Sequence, residues 1–361
     1  MDVSNSESEN ALVRQTDTLV VGAGLAGLFL TRELCLQGQQ IELVESRNRI
    51  GGRILSDPVG KVDLGPAWLW PPHQHVLGLL NQLNIPYFEQ YASGHGLFET
   101  QQGIQRIPAS HSDVSYRVKQ GWQSLINRLL DDIPSQTLRN ATQLIAVDKT
   151  QEGICATVKQ GDNSIEKIAV KQLVLAMPPR LIADTVDFIP ALDDSVIKTW
   201  SGVPTWMAGH AKAVIYTEHS SWRDKGHSGF VYSQKGPLVE IHDASDSSTH
   251  ALFGFIGFDA NQRSAMGKQV LEDAIKHQIQ GLFEVEIKGI VIQDWSCEPE
   301  TATNLDRISP SHHPRYGLHP TSLWNDRILL ASTESAQQHG GYIEGALIAA
   351  KQALTTINSN K

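Results

Sequence analysis

Residues 17–45 decide the fold: DTLVV (17–21), Gly22-Ala23-Gly24-Leu25-Ala26-Gly27, LFLTRELCLQG (28–38) and QIELVE (40–45). The first and last runs are apolar and rich in β-branched residues, which predicts strands. The run between them carries helix-forming apolar positions and stops at Gly38, a plausible helix C-cap. The order strand, glycine-rich turn, helix, strand is the context in which GxGxxG binds a dinucleotide.

Each part of the glycine-rich turn has a physical role in holding a pyrophosphate. Gly22 permits a tight turn, Gly24 lets the backbone approach the phosphates, and Gly27 allows close packing of the helix on the strand. Leu25 and Ala26 open the helix, and a helix N-terminus offers unpaired N–H groups to phosphate oxygens.

Composition bounds the class of protein. The chain has 361 residues, of which 40% are hydrophobic and 19% charged, and its formal net charge is -9. These values are ordinary for a soluble globular protein of two or three structural units and exclude a largely disordered or fibrous chain. The negative balance gives no overall attraction for nucleic acid or anionic lipid.

Cysteine usage and hydropathy add expectations about location. The three cysteines are widely spaced and form no metal-ligand motif, so we expect a reducing compartment and no bound metal. No run of about 18 apolar residues is present, and the polar, acidic N-terminus lacks the features of a signal peptide. We therefore expect a cytoplasmic protein without membrane association, with a disordered tail over residues 1–13.

The residues after the second strand indicate which dinucleotide is bound. Glu45 follows Gly27 by 18 residues, where it can accept hydrogen bonds from a ribose 2′-hydroxyl and would repel the 2′-phosphate of NADP. It opens the segment Glu45-Ser46-Arg47-Asn48-Arg49-Ile50-Gly51-Gly52-Arg53. This segment resembles the flavin-containing amine oxidase family, in which an arginine and a GGR turn follow the ribose-binding glutamate. The resemblance implies FAD, with Arg53 offsetting phosphate charge.

Further segments extend the resemblance over residues 18–351. DLGPAW (63–68) is similar to the segment whose backbone passes the flavin ring, and LVLAMPP (173–179) to the strand that returns to the cofactor domain. TESAQQHGGYIEGA (333–346) is similar to the closing motif, whose glutamate binds the ribityl chain in the family. The resemblance implies FAD contacts by Gly22, Gly24, Leu25, Ala26, Gly27, Glu45, Ser46, Arg47, Gly51, Gly52, Arg53, Gly65, Pro66, Ala67, Trp68, Val147, Ala176, Met177, Trp295, Glu334, Gly341, Tyr342 and Ile343.

Two residues are candidates for catalysis. Lys212, in the run HAKAVIY (210–216) followed by Trp222, resembles the family's lysine that holds a water against flavin N5. Tyr342 would form an aromatic wall on the substrate side of the flavin. A helix beginning next to Tyr342 would stabilise negative charge on the reduced flavin through its dipole.

Departures from the family pattern narrow the expected chemistry. Some members attach FAD through a cysteine a few residues after the tryptophan that Trp295 resembles. That position falls near Asn304, and Cys297 is too close to Trp295 to serve, so we expect non-covalent FAD. No aromatic stands near Leu305, where monoamine oxidases have their second aromatic wall. Trp68 stands where amino-acid oxidases place an arginine, which favours a simple amine over an α-amino acid.

The resemblance implies an α/β fold with a Rossmann-like FAD-binding domain of the GR2 type and an inserted α+β substrate domain. We expect the FAD-binding domain to comprise residues 14–72, 117–198 and 293–361, and the substrate domain 73–116 and 199–292. Within these, the pattern predicts separate strands over 165–170 and 173–179 and a single helix over 265–282.

The expected function is FAD-dependent oxidation of a small-molecule amine. Hydride would pass from the amine α-carbon to flavin N5, giving an imine, and O2 would reoxidise the flavin to give H2O2. Two alternatives remain open at this point: a carbon–carbon oxidase or desaturase with the same cofactor domain, and an FAD-binding interaction protein without turnover. The sequence predicts no nucleic-acid partner and leaves the oligomeric state open.

Overall fold

The computed structural model describes residues 14–108, 114–317 and 320–360. The predicted disordered tail, residues 1–13, lies outside them. The strands are β1 (Arg14–Val21), β2 (Ile41–Val44), β3 (Tyr87–Glu89), β4 (His95–Thr100), β5 (Gly103–Ile107), β6 (Tyr116–Val118), β7 (Leu138–Arg139), β8 (Thr142–Lys149), β9 (Ile154–Gln160), β10 (Ile165–Leu175), β11 (Asp187–Ile189), β12 (Ala211–Thr217), β13 (His227–Ser233), β14 (Leu238–Asp243), β15 (Ala251–Ile256), β16 (Ile287–Asp294), β17 (Ser322–Leu323) and β18 (Ile328–Leu330).

The α-helices are interspersed among these strands along the chain. They are α1 (Leu25–Leu36), α2 (Gln74–Gln82), α3 (Gln123–Leu130), α4 (Pro179–Thr185), α5 (Asp194–Gly202), α6 (Ser221–Asp224), α7 (Ala260–Met266), α8 (Lys268–Phe283) and α9 (Ile343–Ser359). Within the described ranges, no helix is both long enough and apolar enough to span a bilayer.

The first sheet carries the predicted strand–turn–helix–strand unit. Its path runs β11-β8-β9-β10-β1-β2-β7, and β17 and β18 join it through β10. Strand β1 lies between β10 and β2 and is parallel to both. Val20 faces a core that includes α1, α3 and α9, whereas Leu19 and Val21 face a second core that includes α4 and α5. Burial on both faces explains why the C-terminal end of β1, residues 19–21, is a continuous apolar run.

The second sheet forms from the middle of the chain, in the order β16-β12-β15-β14-β13-β4-β5. One of its faces packs against α8 through Leu271, Ile275 and Ile279. The hairpin β4–β5 joins this sheet through parallel pairing of β4 with β13. The described residues therefore form two large sheets, as the α/β fold class with an inserted α+β part implies, and a small two-stranded sheet of β3 and β6.

Three details differ from the sequence-based expectations. The two strands predicted over 165–170 and 173–179 form one strand, β10, because its first half pairs with β9 while its second half continues along β1 and β18. The helix predicted over 265–282 is two helices, since Gly267 adopts a φ of 76° between α7 and α8. Helix α2, predicted within the substrate domain, contributes Val76, Leu79 and Leu80 to the core of the first sheet.

Candidate active site

A cavity of about 900 Å³ lies between the two sheets. This volume is at the upper end of the range for small-molecule and cofactor sites. Twenty of the residues predicted to contact FAD lie on its wall, as does the catalytic candidate Lys212: Gly22, Gly24, Leu25, Ala26, Glu45, Ser46, Arg47, Gly51, Gly52, Arg53, Gly65, Pro66, Ala67, Trp68, Ala176, Met177, Trp295, Gly341, Tyr342 and Ile343.

The glycine-rich turn forms one end of the cavity. Gly22 has a φ of 102°, a conformation that L side chains rarely adopt, and a Cβ there would lie 2.8 Å from the Ala176 carbonyl oxygen. Gly24 has an ordinary backbone conformation and is the N-cap of α1, without a side-chain cap. A Cβ at Gly24 would meet no atom within 4 Å. Gly24 therefore leaves open space beside a helix N-terminus, which suits a phosphate.

Glu45 is held in place beside this turn. Its carboxylate accepts hydrogen bonds from the backbone N–H of Ala23 at 2.8 Å and of Arg47 at 3.0 Å. Although Glu45 is only 3% exposed, it reaches the cavity wall. An anchored carboxylate at the end of β2 can accept hydrogen bonds from the hydroxyl groups of a ribose, the role that the sequence predicts for Glu45.

Arginines after β2 cross-link the first sheet to the loop after β16. The Arg47 guanidinium donates to Thr301 Oγ1 at 2.7 Å and to Glu298 at 3.3 Å. Arg53 donates to both carboxylate oxygens of Glu334, at 2.7 and 3.1 Å. Burial lowers the pKa of Arg53, but the charge of Glu334 outweighs it and the net shift is upward. Arg53 therefore stays cationic on the cavity wall and can offset phosphate charge.

Lys212 projects from β12 of the second sheet and is only 3% exposed. Its Nζ donates to the Gly65 carbonyl oxygen at 3.0 Å and lies 4.0 Å from the centre of the Phe253 ring. Burial lowers the pKa of Lys212 to about 7, and Asp63 opposes that shift. The predicted lysine is thus in direct contact with the DLG segment (residues 63–65). A pKa of about 7 means that Lys212 changes its charge near neutral pH.

Aromatic side chains surround the lysine. The Trp68 ring lies 5.1 Å from Phe253 and 6.3 Å from Phe255, measured between ring centres. Trp295 donates its indole N–H to the Leu64 carbonyl oxygen at 3.1 Å and so fixes the same DLG segment. Phe255 was not predicted as a site residue. The pairing of β12 with β15 sets Phe255 opposite Lys212, so the alternation of Phe253 and Phe255 was the available signal.

The N-terminus of α9 reaches the cavity from the first sheet. Tyr342 is its N-cap, 36% exposed, and makes no side-chain cap. The Tyr342 ring stacks on His313 at 5.1 Å and meets Trp70 edge-on at 6.1 Å, while Trp206 contacts His313 at 4.6 Å. Trp70 and Trp206 also lie on the wall and were not predicted. An aromatic site therefore exists, although Leu305, at the expected second wall, is 62% exposed.

Three predicted FAD residues lie off the cavity wall. Gly27 packs α1 on the turn, since a Cβ there would come within 1.9 Å of the Gly22 carbonyl oxygen. Glu334 is fully buried behind Arg53. Val147 is fully buried in the core of the first sheet, whereas Leu144, three residues earlier on β8, lies on the wall. Spacing alone could not distinguish between these two positions on one strand.

Two family models and several known proteins match this chain in sequence. A family model described as "Flavin containing amine oxidoreductase" matches residues 88–357, and one described as "NAD(P)-binding Rossmann-like domain" matches residues 20–83. A putrescine oxidase of Kocuria rosea is 34% identical over 115 residues, which is 30% of this chain and 24% of that protein. Amine oxidase A of Sus scrofa is 21% identical over 98% of this chain and 87% of its own length.

Solved structures show the same fold. A putrescine oxidase triple mutant superposes with a TM-score of 0.80 at 16% identity, covering 97% of this chain and all of the other. Cyclohexylamine oxidase from Brevibacterium oxydans IH-35A superposes with a TM-score of 0.78 at 16% identity, over 96% of this chain and 99% of the other. The Rossmann-like fold with an inserted second sheet is therefore confirmed.

Proposed function

The chain belongs to the family of flavin-containing amine oxidoreductases, and from this premise we propose that it is an FAD-dependent oxidase of small amines. The observation that carries the proposal is the meeting of Lys212, the DLG segment and the N-terminus of α9 at one cavity. This arrangement brings a titratable lysine, a dipole that favours anions and an aromatic wall to one place.

The residues on the cavity wall fit FAD. The open space at Gly24 and the free N-terminus of α1 would hold the pyrophosphate, with Arg53 as a cation and Glu45 as the ribose ligand. The N-terminus of α9 would lie beside the flavin end, because Tyr342 and Lys212 line the same cavity. We propose non-covalent FAD, since Asn304 stands where some relatives have a linking cysteine.

When bound, FAD would supply the redox chemistry by taking a hydride from the amine α-carbon, which leaves an imine, and passing the electrons to O2, which yields H2O2. The protein binds and orients the amine and excludes water. Tyr342, Trp70 and Trp206 offer aromatic faces that orient the amine. Lys212, held by the Gly65 carbonyl oxygen, supplies a positive charge or a proton beside the cofactor.

The second sheet adds an argument about the substrate. Glu240 on β14 lies opposite Phe255 on β15, which lies opposite Lys212, so the three side chains share one sheet face. The Glu240 carboxylate contacts His242 Nε2 at 2.6 Å and is 39% exposed. Glu240 is not among the described residues on the cavity wall, so the second ammonium group of a substrate would have to extend past the wall to reach this carboxylate. We propose diamines as substrates, in keeping with the similarity to putrescine oxidase.

The test uses FAD-loaded protein without oxygen. Putrescine, butylamine and an α-amino acid are added in turn while the visible band of oxidised flavin is recorded. The proposal predicts bleaching by putrescine at the lowest concentration, followed by recovery of the band and release of H2O2 when air is admitted. If no amine bleaches the band, the proposal fails, and a carbon–carbon oxidase or a non-catalytic role replaces it. Bleaching without recovery in air would leave amine oxidation standing and exclude O2 as the acceptor.

A further inference from the structure

Two buried charged residues behind Lys212 have unsatisfied polar atoms. Asp63 is 1% exposed, and its Oδ1 accepts hydrogen bonds from Ser56 Oγ at 2.6 Å and from the Trp122 N–H at 2.9 Å. Its other oxygen, Oδ2, has no partner among the described residues. Arg117, on β6, is 5% exposed, and its Nε and one terminal nitrogen also lack partners in that part of the chain.

The DLG segment links these groups to the lysine, because Lys212 donates to Gly65, two residues after Asp63, and Tyr116, next to Arg117, pairs with Leu69. Among the described residues, no ion pair within 4 Å joins Asp63 to Lys212 or to Arg117. Asp63 is nevertheless the carboxylate that acts most strongly on both cations, and Arg117 acts on Lys212 as a like charge. Asp243 and Asp246 also face Arg117, but Asp243 is already paired with Arg223. Lys212 and Arg117 therefore share Asp63 as the anion that most stabilises their charged forms.

We propose that Asp63 and Arg117 are positioning residues that set the charge of Lys212 in opposite directions, and that buried water satisfies their unpartnered polar atoms. Buried polar groups that lack protein partners are satisfied by ordered water, which needs a polar site with two or more donors or acceptors. Oδ2 of Asp63 and the two unpartnered nitrogens of Arg117 provide them.

The consequence for Lys212 follows from charge alone. The other contacts of its Nζ are a neutral carbonyl group and the faces of Phe253 and Phe255, which favour the ammonium but carry no net charge. Removing the Asp63 charge leaves two buried cations without the shared anion, so Lys212 loses its proton at lower pH. Removing the Arg117 charge removes a like charge that disfavours the ammonium form, while Asp63 remains as its countercharge. Lys212 therefore keeps its proton to higher pH.

The inference rests on the proposed function only for its importance, since the proposed function places Lys212 beside the flavin. The test therefore measures the pH at which Lys212 itself loses its proton. Lysines labelled with 13C at Cε are followed by NMR against pH in FAD-loaded protein, and the signal of Lys212 is the one missing from K212M. The same titration of the apoprotein reports on Lys212 whether or not any amine is oxidised.

Asp63→Asn keeps both hydrogen bonds of Oδ1 and should lower the titration midpoint of Lys212 by about one pH unit or more, the usual effect of one nearby charge. Arg117→Met should raise the midpoint by a similar amount, and Arg117→Lys, which keeps the charge, should restore most of it. Ser56→Ala weakens the hold on Asp63 and should act in the direction of D63N, but less.

Shifts of D63N and R117M in the same direction, or both below about 0.3 pH unit, would overturn the inference, because a nearby charge normally moves a pKa by more. If D63N does not fold, R117M and R117K still decide the outcome. The pH dependence of flavin reoxidation should move with the midpoints. If the midpoints move and no amine is oxidised, the proposed function fails while this inference stands.

Discussion

Gly24 and Gly27 lie three residues apart in one turn, yet the structure gives them different tasks. A Cβ at Gly24 would point into open space in the cavity, and its φ of -74° suits any residue. A Cβ at Gly27 would lie 1.9 Å from the Gly22 carbonyl oxygen, so the backbone would have to move. We expect Gly24→Ala to impair cofactor binding while sparing the fold, and Gly27→Ala to impair the fold.

The size of each effect follows from these contacts. In apoprotein, Gly24→Ala meets nothing and costs at most about 1 kcal/mol at the helix N-cap, which shifts the Tm by no more than about 3 °C in a chain of this size. With FAD present, the methyl group occupies the space that the pyrophosphate needs. Overpacking of this kind costs about 1–3 kcal/mol, which corresponds to roughly a 5- to 150-fold rise in the Kd for FAD. For Gly27→Ala, the same overpacking cost of about 1–3 kcal/mol lowers the free energy of unfolding of the apoprotein itself.

Two measurements separate the variants. Thermal unfolding of the apoprotein gives the Tm, and titration of apoprotein with FAD, followed by flavin fluorescence, gives the Kd. The reasoning predicts a near-native Tm with weak FAD binding for G24A, and a lowered Tm for G27A. It would be refuted if G24A bound FAD as tightly as the native protein, or if G24A and G27A lowered the Tm of the apoprotein equally.

Three further predictions concern charged groups. Glu240→Gln should lower kcat/KM about fivefold for putrescine and leave butylamine unchanged, because a half-exposed carboxylate contributes only about 1 kcal/mol; equal losses for both amines would contradict its role. Glu334→Gln should lower the unfolding free energy by about 3 kcal/mol, because it leaves Arg53 without a countercharge; denaturation of E334Q and of the double variant E334Q/R53M checks this, since the second removal should recover part of the loss. Burial lowers the pKa of Lys212 to about 7, against about 10.4 in the unfolded chain. Between these two pH values Lys212 is protonated in the unfolded chain and neutral in the folded one, so the free energy of unfolding rises with pH. The Tm of the apoprotein should therefore rise across this range, and it should rise less in K212M.

Most residues predicted at the cofactor end of the site line one cavity, for a physical reason. Binding a pyrophosphate requires particular glycines, a helix N-terminus and a carboxylate at fixed spacing, and all of these lie between residues 22 and 45. Contacts that are local in the chain leave local patterns. Lys212 was predicted from its resemblance to the family's lysine, not from the local pattern, and it lies on the wall of the same cavity.

The other half of the site depends on contacts between distant segments. Trp206 follows a loop with no regular pattern, and Phe255 reaches the cavity only because β15 pairs with β12 in one register. Val147 shows the converse, since it lies on the predicted strand but faces the core. Asp63 and Arg117, which both have unsatisfied buried atoms, likewise lie on distant segments, and no spacing in the sequence expresses the pairing of Tyr116 on β6 with Leu69 after the DLG segment.

The central claim is that an amine α-carbon gives up a hydride within this cavity. Its most direct measurement compares putrescine with putrescine deuterated at both α-carbons, mixed at saturating concentration with FAD-loaded protein in the absence of oxygen. The account predicts that the flavin band bleaches with both and more slowly with the deuterated diamine, because the α C–H bond breaks as the flavin is reduced. Absence of bleaching, or bleaching at the same rate with both diamines, would contradict it.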